Sequence, residues 1–314
     1  MNPPKALVLG CTGQDGSLVS QSLLEQGYEV TGTSRSNNRK IESHEKLGIS
    51  KKIKVVSTQL LKAYELEKLI NLENPNEIYN FAGQSSVGLS FKYPRETRES
   101  IVTITKNLLN TCKVLKFEGR LFFAGSSEIF GNTSKPASVD SEKNPMSPYA
   151  EAKMESLFLV KKFREEYNLK CATGIFFNHE SNLRSKRFVT QKIVSTAKKI
   201  ANGCNEKLKL GNINIVRDWG SARDYILAAQ KMIRSKKLKD YTICTGKSVN
   251  LEYFLNNVFE QLHMKWEDHV IIDKTLFRPN DIDQSFGDCS EIYKDLGWKA
   301  TKNIDSIVNE LLED

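Results

Sequence analysis

The sequence has no long hydrophobic run. None of its apolar stretches approaches the roughly 18–20 residues that a membrane-spanning helix needs, and the apolar share of 39% over 314 residues is ordinary. Residues 1–5 contain no apolar signal-peptide core and lead directly into a strand-like segment. We therefore expect a cytoplasmic chain without a membrane partner.

Closely spaced cysteines are also missing. The chain has six cysteines, none in a C-x-x-C pair, and they are Cys11, Cys112, Cys171, Cys204, Cys244 and Cys289. This spacing matches neither a metal site nor a small disulfide scaffold. We expect reduced, mostly buried thiols and no bound metal.

The net charge of +8 comes without a nucleic-acid-binding pattern. The densest basic run, at 236–239, is short and is typical of a solvated helix end or loop. No basic segment alternates with aromatic residues, as single-strand binders require. We expect no nucleic-acid partner, and the basic balance suits an anionic small substrate.

The order of apolar segments predicts an α/β fold. Strands are predicted at 6–9, 28–32, 53–56, 77–82, 121–124 and 172–177, and helices at 18–25, 64–72, 101–117 and 148–167. This alternation is typical of a doubly wound parallel sheet, the Rossmann architecture. After Phe177 the pattern becomes loop-rich, with a further strand at 242–245 and a helix at 251–262.

We expect two regions. Residues 1–176, together with about 217–247, form the cofactor-binding Rossmann domain. Residues 177–216 and 248–314 form a smaller C-terminal α/β region that binds the substrate over the carboxyl edge of the sheet.

A glycine-rich turn lies between the first predicted strand and helix. It has the spacing G-x-x-G-x-x-G and consists of Gly10, Cys11, Thr12, Gly13, Gln14, Asp15 and Gly16. Such a turn lets a pyrophosphate approach the backbone at a helix N-terminus. The alternative is a plain glycine-rich loop.

Arg35 follows the second predicted strand, where dinucleotide-binding sites usually carry an acid. An arginine among hydroxyl side chains suits the 2′-phosphate of NADP, so we favour NADP over NAD. The alternative is that Arg35 is a solvated loop residue.

Ser126, Glu128, Tyr149 and Lys153 are the candidate catalytic residues. Tyr149 and Lys153 stand four apart on a predicted helix, so both side chains can reach one site. An ammonium beside a phenol favours phenolate, which makes the tyrosine a base near neutral pH. Glu128 is either a second acid–base group or a surface or helix-capping glutamate.

Many stretches along nearly the whole chain carry a family resemblance. They are GQDGS at 13–17, PNEIYN at 75–80, QSSV at 84–87, SSE at 126–128, SPYAEAK at 147–153, FNHES at 177–181, RFVTQKI at 187–193, LGN at 210–212, RDWG at 217–220, ARDY at 222–225 and FRP at 277–279. The sequence thereby resembles the GDP-mannose 4,6-dehydratase family of the extended short-chain dehydrogenases/reductases.

The resemblance implies a lyase that converts GDP-mannose to GDP-4-keto-6-deoxymannose and water by internal redox through a bound NADP. Tyr149 would take the proton of the C4 hydroxyl, Lys153 would lower the tyrosine pKa, and Ser126 would hydrogen-bond near O4. Glu128 would remove the C5 proton before water leaves from C6. A reductase or epimerase acting on another nucleotide sugar, and a catalytically idle nucleotide-sugar binder, are the alternatives.

The resemblance also implies two sets of binding residues. The cofactor set is Gly10, Thr12, Gly13, Gln14, Asp15, Gly16, Arg35, Gln59, Leu60, Ala82, Tyr149, Lys153 and His179. The substrate set is Ser86, Ser126, Glu128, Asn178, Val189, Lys192, Leu210, Gly211, Arg217, Arg278 and Asp281. For the basic members the alternative is an ordinary surface salt bridge. For His179 the alternative is a packing residue, and Trp219 is expected in the core.

The chain departs from the family pattern at a few positions. Gln59 stands where an aspartate is usual, and Asp281 where glutamate is common. The segment after 36–40 differs from the family's tetramer-forming region. We therefore expect a homodimer through two long helices per subunit, with a tetramer as the alternative.

Overall fold

The structure, a computed structural model, describes residues 2–35, 41–277 and 280–313. The strands in these ranges are β1 (Lys5–Leu9), β2 (Glu29–Ser34), β3 (Lys54–Ser57), β4 (Glu77–Asn80), β5 (Arg120–Ala124), β6 (Cys171–Phe176), β7 (Asn178–Glu180), β8 (Leu208–Leu210), β9 (Val216–Ser221), β10 (Tyr241–Ile243), β11 (Ser248–Asn250) and β12 (Val270–Ile272).

The helices found in the same ranges are α1 (Gln14–Glu25), α2 (Glu42–Lys46), α3 (Ala63–Glu73), α4 (Val87–Lys92), α5 (Pro94–Arg98), α6 (Ile104–Val114), α7 (Pro148–Tyr167), α8 (Val189–Ala201), α9 (Ala222–Arg234), α10 (Leu251–Gln261), α11 (Ser290–Leu296) and α12 (Ile304–Glu313). None of these helices is both long and apolar enough to cross a membrane.

A parallel sheet of seven strands, counted over the described part of the chain, forms the centre of the molecule. Its order is β3-β2-β1-β4-β5-β6-β10, and every neighbouring pair is parallel. The predicted doubly wound α/β fold is confirmed. Because all seven strands run the same way, the loops that leave their carboxyl ends emerge along one edge.

Alternating strand residues bury both faces of this sheet. Leu7 and Leu9 of β1 belong to one hydrophobic cluster, whereas Val8 belongs to the cluster on the opposite face. A strand buried on both sides reads as a continuous apolar run, which is why the sequence pattern predicts these strands well.

The region after Phe177 is more regular than the sequence analysis predicts. The expected loop-rich stretch contains two helices, α8 and α9, which bury Ile193 and Ile226 among other apolar residues. Helix α9 packs on the central sheet, while α8, α10 and α12 share a separate hydrophobic cluster. Both helices carry apolar residues at helical spacing, but the sequence analysis missed them because polar and charged residues lie between these positions.

The predicted helix at 101–117 also differs in its bounds. A π-helical turn, Glu99–Thr103, joins α5 to α6, and α6 ends at Val114.

The six cysteines are free, and four of them are buried.

A buried ion pair anchors α7 to the sheet. Arg164 donates to both carboxylate oxygens of Asp240, at 2.8 and 2.7 Å, and Asp240 also accepts the Thr173 amide. Since α7 carries Tyr149 and Lys153, this pair fixes the helix that presents both groups.

Candidate active site

The glycine-rich turn brings bare backbone to the N-terminus of α1. Gly10 has a φ of +80°, and a Cβ on Gly16 would lie 2.2 Å from the Gly10 carbonyl oxygen. Gly13 caps α1 without a side chain, which leaves the first amides of the helix open. A Cβ on Gly10 would also lie 2.9 Å from the Ala82 nitrogen, so β1 and β4 approach closely here. This cradle fits a dinucleotide pyrophosphate.

A polar network joins this turn to β7. The Nε2 atom of His179 lies 3.0 Å from the Asp15 Oδ1 atom, and Nδ1 donates to the Phe177 carbonyl at 2.8 Å. Gln14 donates to the His179 carbonyl and accepts from the Ser181 hydroxyl. His179 therefore joins the glycine-rich turn to β7, which agrees with the packing interpretation, and its contact with a cofactor stays a prediction.

This network favours the ionised form of Asp15. Burial alone would raise the pKa, but the charge and hydrogen bond of His179 and the charge of Arg184 lower it to about 2. When the His179 ring is protonated, its contact with Asp15 is an ion pair between the two halves of the cleft.

The candidate catalytic residues meet at the carboxyl ends of β5 and β6. Pro148 opens α7 and the Ser147 hydroxyl accepts the Ala150 amide at 3.1 Å, so Tyr149 lies in the first turn of the helix. Ser126 caps the 3₁₀ turn Ser127–Phe130, and Glu128 lies half-buried on that turn.

Two of the other candidate catalytic residues act on the Tyr149 phenol. Ser126 is hydrogen-bonded to the phenol, and the charge of Glu128 acts on it. Burial raises the pKa of Tyr149 to about 12; the Ser126 bond opposes this rise and the Glu128 charge adds to it. In the protein alone, burial thus opposes ionisation of Tyr149, and the role of Lys153 in making it a base stays a prediction.

The position of Lys153 bears on this role. Its Nζ atom donates to the Ala124 carbonyl at 2.7 Å and lies 5.8 Å from the centroid of the Tyr149 ring. Burial lowers the pKa of Lys153 to about 8, against the opposing charge of Asp15. Burial thus disfavours the charged form of both groups, which a sequence pattern does not reveal.

The structure adds Arg184, which the sequence analysis missed. Its Nε atom lies 3.6 Å from Glu180, and its guanidinium stacks 3.7 Å from the centroid of the Phe188 ring. Its charge lowers the pKa of Asp15 and of Tyr149. A glutamate four residues before an arginine was the only sign in the sequence, and outside a helix this spacing does not predict contact.

The predicted adenosine-side residues follow β2 and β3. These strands pair in parallel, so Arg35 and Gln59 lie at the same edge of the sheet, and both are exposed. The backbone amide of Gln59 donates to the Glu65 carboxylate, and the Leu60 side chain is buried.

Two predicted substrate residues form a buried pair. The Arg217 Nη2 atom lies 3.6 Å from Asp281, and Arg217 is only 4% exposed, which excludes an ordinary surface salt bridge. Trp219 packs against Phe254 in the core, as expected. Arg278 lies outside the described residues.

Other predicted substrate residues cluster around β8. Lys192 donates to the Lys209 carbonyl at 2.5 Å, and Leu210 is buried. A Cβ on Gly211 would lie 3.0 Å from the Leu276 carbonyl oxygen, so any residue other than glycine would require the neighbouring backbone to shift slightly.

Three further predicted residues occupy the ends of secondary structure elements. Ser86 caps α4 by accepting the Leu89 amide, Asn178 begins β7 and Val189 begins α8. The predicted site residues therefore fall into three groups: the candidate catalytic residues with the glycine-rich turn, an exposed group at the β2–β3 edge, and a group around β8 and β9.

Comparison with known proteins identifies the family. The family model for GDP-mannose 4,6 dehydratase matches residues 7–311. GDP-mannose 4,6 dehydratase 1 of Arabidopsis thaliana is 37% identical over 98% of this chain and 89% of its own length. The Homo sapiens protein is 34% identical over 98% and 90%, and that of Sinorhizobium fredii is 31% identical over 98% and 95%.

Solved structures share the fold over the full length. UDP-glucose 4-epimerase of Thermus thermophilus, in complex with NAD, has a TM-score of 0.87 at 21% identity and covers 98% of each chain. dTDP-glucose 4,6-dehydratase of Bacillus anthracis has a TM-score of 0.85 at 16% identity and covers 99% of this chain and 96% of its own. Together with the site geometry, the sequence comparisons show that this chain belongs to the GDP-mannose 4,6-dehydratase family.

Proposed function

We propose that the protein is a lyase that converts GDP-mannose to GDP-4-keto-6-deoxymannose and water by internal redox. The observation that carries this proposal is the position of Glu128, which lies half-buried on the turn that Ser126 caps and whose charge acts on the Tyr149 phenol. A simple reductase needs the tyrosine but has no use for a second acid–base group at the same sugar ring. Elimination of water does need one, to remove the C5 proton.

Each catalytic side chain then has one task. Tyr149 takes the proton of the C4 hydroxyl, and Ser126, hydrogen-bonded to the phenol, steadies the charge that develops at O4. Glu128 removes the C5 proton, which the C4 ketone acidifies, and delivers it to the leaving C6 hydroxyl, which departs as water. When hydride returns to C6, C5 takes up a proton, which balances the one that Tyr149 took from the C4 hydroxyl. Lys153 approaches the phenol and the cofactor ribose from the side of the Ala124 carbonyl.

The high pKa of Tyr149 limits when it can act as a base. When bound, the nicotinamide would supply a hydride acceptor for C4 and a positive charge near the phenol in its oxidised form, and a hydride donor for C6 in its reduced form. Lys153 retains a proton below its pKa of about 8, and its ammonium then favours the ionised form of Tyr149. We propose that Tyr149 becomes a base only in the loaded enzyme.

We propose NADP as the cofactor, with NAD as the less favoured choice. The support is Arg35, exposed directly after β2 where a carboxylate would repel a 2′-phosphate. Asp15 and His179 hold the glycine-rich turn in place below the pyrophosphate, and Gln59 and Leu60 border the adenine end.

We further propose that the diphosphate and base of the substrate bind between β8 and β9. Arg217 and Lys192 supply positive charge there, and the buried Asp281 contact holds the Arg217 guanidinium in place. Residues 1–176 with about 217–247 would then bind the cofactor, and 177–216 with 248–314 the nucleotide sugar.

Incubation with GDP-mannose and a trace of NADP tests the function directly. We expect a 4-keto-6-deoxy product in large excess over the cofactor, and slower turnover when NAD replaces NADP. Mass spectrometry of the sugar nucleotide measures both. Consumption of NADPH in proportion to a keto sugar, without loss of water, would point to a reductase, and binding without turnover to an idle binder.

The variant Glu128→Gln tests the assigned acid–base group. Because an amide cannot take the C5 proton, we expect product formation to fall about 10²- to 10⁴-fold while NADP binding persists. Glu151→Gln, two residues past Tyr149 on the exposed side of α7, is the matched control and should retain activity. Dehydration by Glu128→Gln at the wild-type rate would refute the assignment.

We propose a homodimer through α6 and α7, and Phe158→Asp tests it. Phe158 on α7 is 51% exposed and Val114 on α6 is 71% exposed, as expected of a face that a second copy covers. A charge at Phe158 should shift the mass in sedimentation from two chains to one, whereas Tyr293→Asp on α11 should not. A wild-type monomer would contradict the dimer, and four chains would favour the tetramer.

A further inference from the structure

His44 is a buried polar side chain that the proposed reaction leaves unused. It belongs to the short helix α2 and is only 1% exposed. Its Nε2 atom lies 2.8 Å from the carbonyl oxygen of Cys11 in the glycine-rich turn. Burial lowers the pKa of His44, so the ring is uncharged near neutral pH and carries a single proton. Because a carbonyl oxygen can only accept, that proton is on Nε2, and His44 donates to Cys11.

The Cys11 carbonyl has a second donor on helix α1. The hydroxyl of Ser17, a fully buried residue, lies 2.9 Å from the same oxygen. The Cys11 amide in turn donates to the Thr33 carbonyl of β2 at 3.3 Å. Two donors match the two lone pairs of a carbonyl oxygen, so the peptide group between Cys11 and Thr12 is held in one orientation.

Ser43 connects α2 to the same turn. Its hydroxyl lies 2.8 Å from the Ser17 hydroxyl and 3.3 Å from the Thr12 carbonyl oxygen. Helix α2 therefore contacts two successive carbonyl groups of the turn, at Cys11 and at Thr12, and reaches α1 through Ser17. These contacts hold His44 at a fixed place beside the turn.

The orientation of the Cys11 carbonyl decides where the Thr12 amide points. The peptide bonds in the described part of the chain are trans, and in a trans peptide the N–H group lies opposite the preceding carbonyl group. Cys11 is buried, whereas Thr12 and Gly13 are exposed. With the carbonyl directed to the buried donors, the Thr12 N–H points to the exposed side of the turn, where amides before a helix bind anions.

We propose that His44 is a positioning residue, which fixes the peptide group between Cys11 and Thr12 so that the Thr12 amide faces the pyrophosphate of the cofactor. This inference rests on the cofactor site of the proposed function. Ser17 provides the second donor, and Ser43 keeps α2 against the turn. His44 is buried behind the turn and touches no ligand, so its effect passes through the backbone.

Substitution of His44 tests this role, with the dissociation constant of NADPH measured by titration calorimetry in the full-length protein. His44→Leu removes the donor and should weaken NADPH binding about three- to tenfold. His44→Gln carries an N–H donor close to the place of the ring Nε2 atom and should restore most of the affinity. His269→Leu is the matched control: this ring stacks on Phe259, far along the chain from the turn, and its loss should leave NADPH binding unchanged.

A ligand without the pyrophosphate separates positioning from general damage to the site. Adenosine 2′-monophosphate occupies only the adenosine end proposed at Arg35, so the wild type and His44→Leu should bind it equally. Equal weakening of both ligands in His44→Leu, or unchanged NADPH binding, would overturn the proposal. The same would follow if His44→Gln bound NADPH as poorly as His44→Leu.

If His44→Leu does not fold, the second donor provides another route. Ser17→Ala should weaken NADPH binding, because the Cys11 carbonyl loses one of its two donors. Ser20→Ala should not, since Ser20 is equally buried on α1 but donates to the Gly16 carbonyl within its own helix. Equal NADPH binding by the two serine variants would contradict the role of the Cys11 carbonyl.

Binding of the cofactor needs no sugar, so these titrations are independent of the proposed reaction. A protein that depends on His44 for NADPH binding but fails to dehydrate GDP-mannose would refute only the reaction. An active dehydratase that binds NADPH equally well without His44 would refute only the positioning role. If the wild type binds NADH instead, the same dependence on His44 is expected, because both dinucleotides carry the pyrophosphate, and adenosine then serves as the short ligand.

Discussion

Parallel pairing of the central strands is the constraint on which the site depends. Because β1 to β6 all run the same way, the glycine-rich turn, Arg35, Ser126 and Asn178 leave the sheet along one edge. Antiparallel pairing of any one of them would carry its loop to the opposite edge. The Asp15–His179 contact, at 3.0 Å, then ties this edge to the smaller sheet formed by β7, β9 and β11.

Burial affects the charged groups along this edge of the sheet in different ways. Burial raises the pKa of Tyr149 and lowers that of Lys153, so the protein alone disfavours a phenolate–ammonium pair. The pKa of Asp15 is lowered instead, because the charges of His179 and Arg184 favour the carboxylate more than burial disfavours it.

Much of this arrangement could be predicted from the sequence. Continuous apolar runs such as 6–9 and 121–124 indicate buried parallel strands, and the glycine spacing at 10–16 indicates the phosphate turn. The two helices after Phe177 were missed because polar residues obscure their apolar periodicity. Contacts made only by the tertiary fold could not be read at all: Arg184 reaches Glu180 across a turn, and the pKa of Tyr149 depends on burial.

The central claim is that hydride leaves C4 and returns to C6 of the same sugar while Glu128 handles the C5 proton. GDP-mannose carrying deuterium at C4 tests it most directly, with the position of the label in the product read by NMR. Our account predicts deuterium in the C6 methyl group of a 4-keto-6-deoxy product. Retention of deuterium at C4, or its loss to the bulk cofactor, would contradict an internal redox lyase.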